Sequence, residues 1–182
     1  MTSLLKCSIA AGASALCFAG TATASPDVPH VRSSTPAFLT ALARGRTLSP
    51  TLAAALDRLD ATDVLVYVVD GRCPTATDTC LRLVPTAGRG TRIVRVDVRF
   101  SDARPTSSIR RADVLTGRLA HELAHALEIA DRPEVVDGLS LDAFYREVGF
   151  AGRASTGRAF ETDAAQRLGQ QVEQEVRRAP RR

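Results

Sequence analysis

The chain holds only three histidines among 182 residues, and two of them, His121 and His125, stand four apart with Glu122 between them. On an α-helix, residues four apart differ by about 40° around the axis and about 6 Å along it, so both imidazoles project toward a common point. Two ring nitrogens there can share one zinc ion. Glu122 flanks that point and can take a proton from a water held by the ion, which makes the pattern hydrolytic rather than merely structural. The neighbours Leu119, Leu123, Ala124, Ala126 and Leu127 are uncharged, and residues 118–131 contain no Gly or Pro. This spacing predicts a helix buried under a substrate cleft. The bland alternative is two hydrogen-bonded histidines on a half-buried helix, with Glu122 solvated.

His121-Glu122-Leu123-Ala124-His125 resembles the active-site helix of the zincin metallopeptidases. Metzincins carry a Gly after the second His that turns the chain toward a third His; here Glu128 and Asp131 follow, and no His comes after His125. A carboxylate must then complete the site, and the nearest resemblance is to the gluzincins, in which a Glu from a later helix does so. The resemblance implies a zinc cofactor, a peptide or protein substrate, and hydrolysis of the peptide bond with Glu122 as general base.

Two acids compete for the place of third ligand. Glu128 lies seven residues past His121, on the ligand face. A zinc ion between the histidines would leave its Cα roughly 7 to 8 Å further along the axis, beyond comfortable reach unless the helix breaks. Glu161 is expected on a separate last helix, sharing an inward stripe with Ala165, Leu168 and Val172, where an acid needs a cation or a partner. Small Ala164 and Ala165 would let that helix approach closely. Glu161 is therefore the expected ligand, although the first turn of a helix also favours an acid through its dipole. The gap of 36 residues after His125 is longer than gluzincins usually show, and Ala165 stands where an Asp often supports a histidine. That support falls to Asp163 or Glu128. Tyr145 is a candidate oxyanion donor or simply a tyrosine at the core edge.

The competing class is a secreted zinc-binding or scaffold protein that keeps the metal and lacks turnover. A purely structural site would have no use for Glu122 and would usually close with a fourth protein ligand.

The elements around this helix predict an α+β domain: two helices, a small three-stranded sheet, then a helical half carrying the zinc site. Ser34-Thr35-Pro36 and Ser49-Pro50 each supply an N-cap and a first-turn proline, for helices over residues 36–44 and 50–59. Residues 64–69 are a continuous apolar run rich in β-branched residues, expected as a central strand buried on both faces. A short strand over 81–84 follows, and 92–100 alternates Val94, Val96, Val98 and Phe100 against Arg95, Asp97 and Arg99, so one face should be wet. As the last strand before the active helix, it is either the cleft-side edge that pairs with bound peptide or an ordinary surface strand. Asp113 suits the start of the active helix and Pro133 its end. A short helix over 140–148, a connector over 149–157 and a last helix over 158–178 complete the chain.

Residues 1–24 lie outside this fold. Lys6 supplies a single positive charge, residues 8–20 are small and apolar, and Ala22-Thr23-Ala24 is a small-x-small cleavage signal, together a secretory signal peptide. Its core of about 13 residues falls short of the roughly 20 needed to span a bilayer, so no stable membrane anchor is expected. Cleavage leaves 158 residues, 25–182, as a single domain in the periplasm or the medium. Lys6 is the only lysine, so the mature chain carries 23 Arg against 20 acids, too balanced for a nucleic-acid protein. The basic end, Arg177-Arg178 and Arg181-Arg182, is expected as a solvated tail, and His30 as a solvated side chain. Cys7 and Cys17 depart with the signal. Cys73 and Cys80 remain, bracketing a turn-rich loop, and in an oxidising compartment they read as a local disulfide. The alternative is a free thiol that ligates the zinc.

Overall fold

Ser49 and Pro50 act as their types predict: Ser49 Oγ accepts from the Leu52 amide at 3.0 Å, and Pro50 fills the first position of helix α2, Pro50–Asp60. Helix α1, Pro36–Leu48, also has its proline in the first turn, but Thr35, expected as its N-cap, makes no side-chain cap bond. A computed structural model describes residues 29–74, 77–86, 90–100, 108–151 and 160–180. The proposed signal peptide, most of the 149–157 connector and the last two arginines lie outside these residues.

Among the described residues the fold is α+β, with five helices and a mixed sheet of four strands rather than three. The additional strand is β1, Val31–Ser33, so a strand precedes the two helices. Three residues are too few to show a period in sequence, but Val31 is buried beside its parallel partner Val66. Strand β2, Val64–Asp70, continues the parallel pairing to β4, Arg92–Val98, and β3, Thr79–Val84, runs antiparallel on the outside, giving the order β1-β2-β4-β3.

Two expectations about these strands are corrected. Val64, Val66 and Val68 are buried, but Leu65, Tyr67 and Val69 are only half-buried, so β2 is not enclosed on both faces. Strand β4 is not an edge: it pairs with β2 on one side and β3 on the other, and β3 forms the margin. The face opposite the valines is only partly wet: Arg95 keeps 41% of its side chain exposed, but Asp97 is paired within the sheet. Asp97 is 1% exposed, with Arg95 at 2.8 Å and Arg82, from β3, at 3.1 Å. Alternation of valine with charge cannot separate these cases.

Helix α3, Ser108–Ala130, is the 23-residue centrepiece. Leu119, Ala120, Leu123, Ala126 and Ile129 are all buried in the core that α1, α2 and the sheet share. Its C-terminus is held by one arginine at the start of β4. Arg92 is 8% exposed; its Nη1 donates to the carbonyls of Ile129 (2.6 Å) and Arg132 (2.7 Å), while Nη2 and Nε grip Asp63 at 2.7 and 2.8 Å. The Ile129 carbonyl, in the last turn of α3, and the Arg132 carbonyl just beyond it each accept one backbone amide, from Arg132 at 3.1 Å and Val135 at 3.0 Å, and the arginine adds a second, charged donor where the helix dipole favours a cation. At the other end, Asp113 is buried in a 2.8 Å ion pair with Arg44 of α1 rather than serving the first turn.

Beyond α3, Asp137 and Ser140 form a capping box that starts α4, Gly138–Val148, two residues ahead of the expected position. A two-stranded ribbon pairs β5, Phe150–Ala151, with β6, Phe160–Glu161, and the last helix, α5, is Asp163–Arg178. Glu161 thus precedes α5 and shares no helical stripe with Ala165 and Val172. The N-cap is Thr162, whose hydroxyl accepts from the Ala165 amide at 3.1 Å. Among the described residues no helix is long and apolar enough to cross a membrane.

Helices α3 and α5 meet across Gly117 and Gly169. A Cβ at Gly117 would fall 2.8 Å from Glu173 Cβ, and one at Gly169 only 3.0 Å from both the Gly117 carbonyl and His121 Cβ. Contact this close needs two glycines. Of the two alanines expected to allow it, Ala165 is buried and Ala164 faces solvent.

Candidate metal centre

The two histidines leave α3 on one face, as their spacing requires, with ring centroids 4.9 Å apart and ring planes at 80°. Glu161 arrives from β6, and its Oε2 lies 3.4 Å from His121 Nε2. One nitrogen from each histidine and one Glu161 oxygen lie within 4.8 Å of one another, so these three residues could hold a metal ion.

The donor set fits that use. Tetrahedral ligands at zinc distances, about 2.0 to 2.1 Å, stand roughly 3.3 Å from each other. The 3.4 Å separation of His121 and Glu161 matches this edge, and it is long for a charge-assisted hydrogen bond, which closes to about 2.7 to 2.9 Å. Burial opposes the charged form of His121, but Glu161, Glu122 and Glu128 outweigh it and raise its pKa. The same contact, against the burial of Glu161, lowers the Glu161 pKa.

Glu128 lies outside that group of three and bonds one of its histidines. Its Oε2 takes the Nδ1 proton of His125 at 2.9 Å and the Tyr145 hydroxyl at 3.2 Å, while its Oε1 takes the Thr162 hydroxyl at 2.6 Å. Burial pushes the Glu128 carboxyl up, but the hydrogen bonds from His125, Thr162 and Tyr145 outweigh it and hold Glu128 below the ordinary carboxylate range. An ionised Glu128 accepts only, so His125 carries its proton on Nδ1 and turns Nε2 outward with a free lone pair. Asp163, the other acid considered for this task, is exposed in the first turn of α5.

Glu122 is 3% exposed. Burial pushes its carboxyl above the ordinary value, against the pull of His125, a hydrogen bond from Thr79 and the pull of His121. A carboxylate so placed has a raised proton affinity. Tyr145 is 7% exposed; burial, then Glu128, raise its pKa, so the phenol keeps its proton. That proton is directed at Glu128 at 3.2 Å, with the His125 carbonyl at 3.4 Å, so Tyr145 is tied into the His125–Glu128 network.

Glu122, His125 and Glu161 open into a cleft of about 330 Å³ with apolar walls, Leu81 of β3 on one side and Leu141, Tyr145 and Phe160 on the other. Cys73 and Cys80 form a disulfide with Cα atoms 5.8 Å apart, tying the loop before β3 to its second residue, next to Thr79. They are bridged, so neither supplies a thiol to the metal group. His30 is also remote from it, bonding the Val64 carbonyl at 3.1 Å.

Sequence reasoning missed Thr79, Thr162 and the glycine pair. Thr162-Asp163 is an ordinary N-cap and first-turn acid, and reading it so would have placed Glu161 outside the helix. Gly117 and Gly169 each break a helical pattern, the mark of a close approach. Thr79 carries no local signal, since its role follows from the crossing of β3 over α3. Comparison with protein-family models, with curated proteins and with solved structures finds no match for this chain.

Proposed function

We propose that this protein is an exported zinc-dependent metallopeptidase of gluzincin-like chemistry, with His121, His125 and Glu161 as ligands and Glu122 as general base. One observation carries the reading: a two-imidazole, one-carboxylate donor set lies within 4.8 Å, and two of its members, His125 and Glu161, line a cleft with a separate buried carboxylate, Glu122. A structural site would need a fourth protein ligand, and among the described residues only these three group together.

Zinc bound there would supply Lewis acidity, acidifying a water and polarising the scissile carbonyl. Glu122, held by Thr79 and pressed toward a higher proton affinity, takes the proton of the attacking water and passes it to the leaving nitrogen. Glu128 keeps His125 in the ligating tautomer, and Leu81, Leu141 and Phe160 keep bulk water from the bond being cut. The margin strand β3 forms part of the cleft wall and offers the backbone edge along which an extended peptide can lie.

Peptide-library cleavage by the zinc-loaded mature protein and by Glu122→Gln tests this. Cleavage by the wild type, lost in a variant that still binds one zinc, is the expected result. Zinc retained with no cleavage by the wild type would leave a metal-binding scaffold, and no zinc at all would end both readings.

A further inference from the structure

We infer that Thr162 is a positioning residue for the metal centre, fixing through Glu128 the ring orientation and tautomer of His125. The inference rests on the metal-site reading above. Thr162 is 5% exposed and sits between two parts of the site, immediately after Glu161 and directly against Glu128.

Its hydroxyl has one proton, and the geometry accounts for it. Oγ1 accepts the Ala165 amide at 3.1 Å as the N-cap of α5, so its own proton goes to Glu128 Oε1 at 2.6 Å. That bond fills one Glu128 oxygen. The other faces His125 Nδ1 and the Tyr145 hydroxyl. With both oxygens engaged from opposite sides, the carboxylate cannot swing about its terminal torsion, and it presents a fixed acceptor to Nδ1. The imidazole is thereby locked with Nε2 aimed at the point that His121 and Glu161 share. Because the same oxygen starts α5, the segment carrying Glu161 and the segment carrying His125 are registered to one atom. Removing the donor would free Glu128 to rotate and loosen His125, even with every ligand still present.

A helix cap alone would account for a threonine here, so the test must separate capping from donation. Aspartate caps well but has no proton to donate. Zinc affinity of the mature chain, measured by competition with a chromophoric chelator, should fall about 10- to 100-fold in Thr162→Asp, the range for loss of a group that orients a metal-bound histidine. The melting temperature of the zinc-free Thr162→Asp protein reads the cap. Thr162→Ser restores both functions and should bind zinc within about threefold of wild type. In a Glu128→Ala background, where there is nothing left to position, Thr162→Val should cost less than about threefold more, against at least tenfold in the wild-type background. Wild-type affinity in Thr162→Asp, or equal losses from Thr162→Val in both backgrounds, would overturn the inference and reduce Thr162 to a cap. If zinc binding by the wild type itself is absent, the metal-site reading fails, and the inference with it.

Discussion

Replacing Gly169 with alanine sets two well-measured effects against each other. In an exposed helix interior, Gly→Ala stabilises by up to about 1 kcal/mol, because the unfolded chain loses freedom. At Gly169 the new methyl would stand 3.0 Å from the Gly117 carbonyl and 3.0 Å from His121 Cβ. Carbon atoms settle about 3.5 to 4.0 Å apart, so α5 must retreat from α3 by roughly 0.5 Å. Overpacking of this kind costs about 1 to 3 kcal/mol. The packing cost prevails, and a net loss of about 1 to 2 kcal/mol is expected, or a fall of about 2 to 8 °C in Tm for a chain of this length. The same retreat moves the start of α5, next to Glu161, away from His121. Metal bonds tolerate about 0.2 Å, so zinc affinity should fall as well. Urea denaturation of the metal-free protein and chelator competition on the same samples measure both. A Gly169→Ala protein more stable than wild type would show that propensity alone governs the position and would refute the close helix contact.

Four further outcomes follow from particular contacts. Arg92→Met should destabilise by about 3 kcal/mol, because the bonds it gives the α3 carbonyls are charge-assisted and worth about 1.5 to 3 kcal/mol each without being additive; Arg92→Lys should recover less than half of that in denaturant melts. The Arg92 guanidinium holds the Asp63 carboxyl below its ordinary value. A lowered folded pKa stabilises above the unfolded value, near 3.9, and is lost as pH falls through the folded one; Asp63→Asn should therefore cost more stability at pH 6 than at pH 2, and an equal cost at both would count against the pairing. Removing the disulfide with Cys73→Ser and Cys80→Ser should cost about 2 to 3 kcal/mol by the chain-entropy estimate for so short a loop, and unreduced mature protein should weigh about 2 Da less than reduced. Leu141→Asp should turn the cleavage preference in a peptide library away from large apolar side chains, since Leu141 forms part of the apolar wall beside Glu122 and His125.

How much of this was legible in the sequence depended on whether the information was local. The α3 ligand pair needs only the helical period, and Pro36 and Pro50 announce their helices through the first-turn preference of proline. Strand order is not local. Nothing in residues 79–84 says that β3 will lie outside β4, and the Arg95-Asp97 alternation looked solvated because Arg82, its neutralising partner, comes from another strand. Glu161 was identified through a helical stripe to which it does not belong. Its chain position, just before the N-cap, brings it to His121 nonetheless. Glu128 was set aside as a ligand by an argument from axial rise, and in the structure it holds His125 from the far side.

The most direct test is zinc titration of chelator-treated mature protein alongside Glu161→Ala and Glu128→Ala. The account predicts one zinc per wild-type chain, an affinity more than about 100-fold weaker in Glu161→Ala, and a smaller loss, about 10- to 100-fold, in Glu128→Ala, which removes an orienting group and leaves all three donors. A Glu128→Ala loss larger than that of Glu161→Ala, or an unchanged affinity in Glu161→Ala, would contradict it.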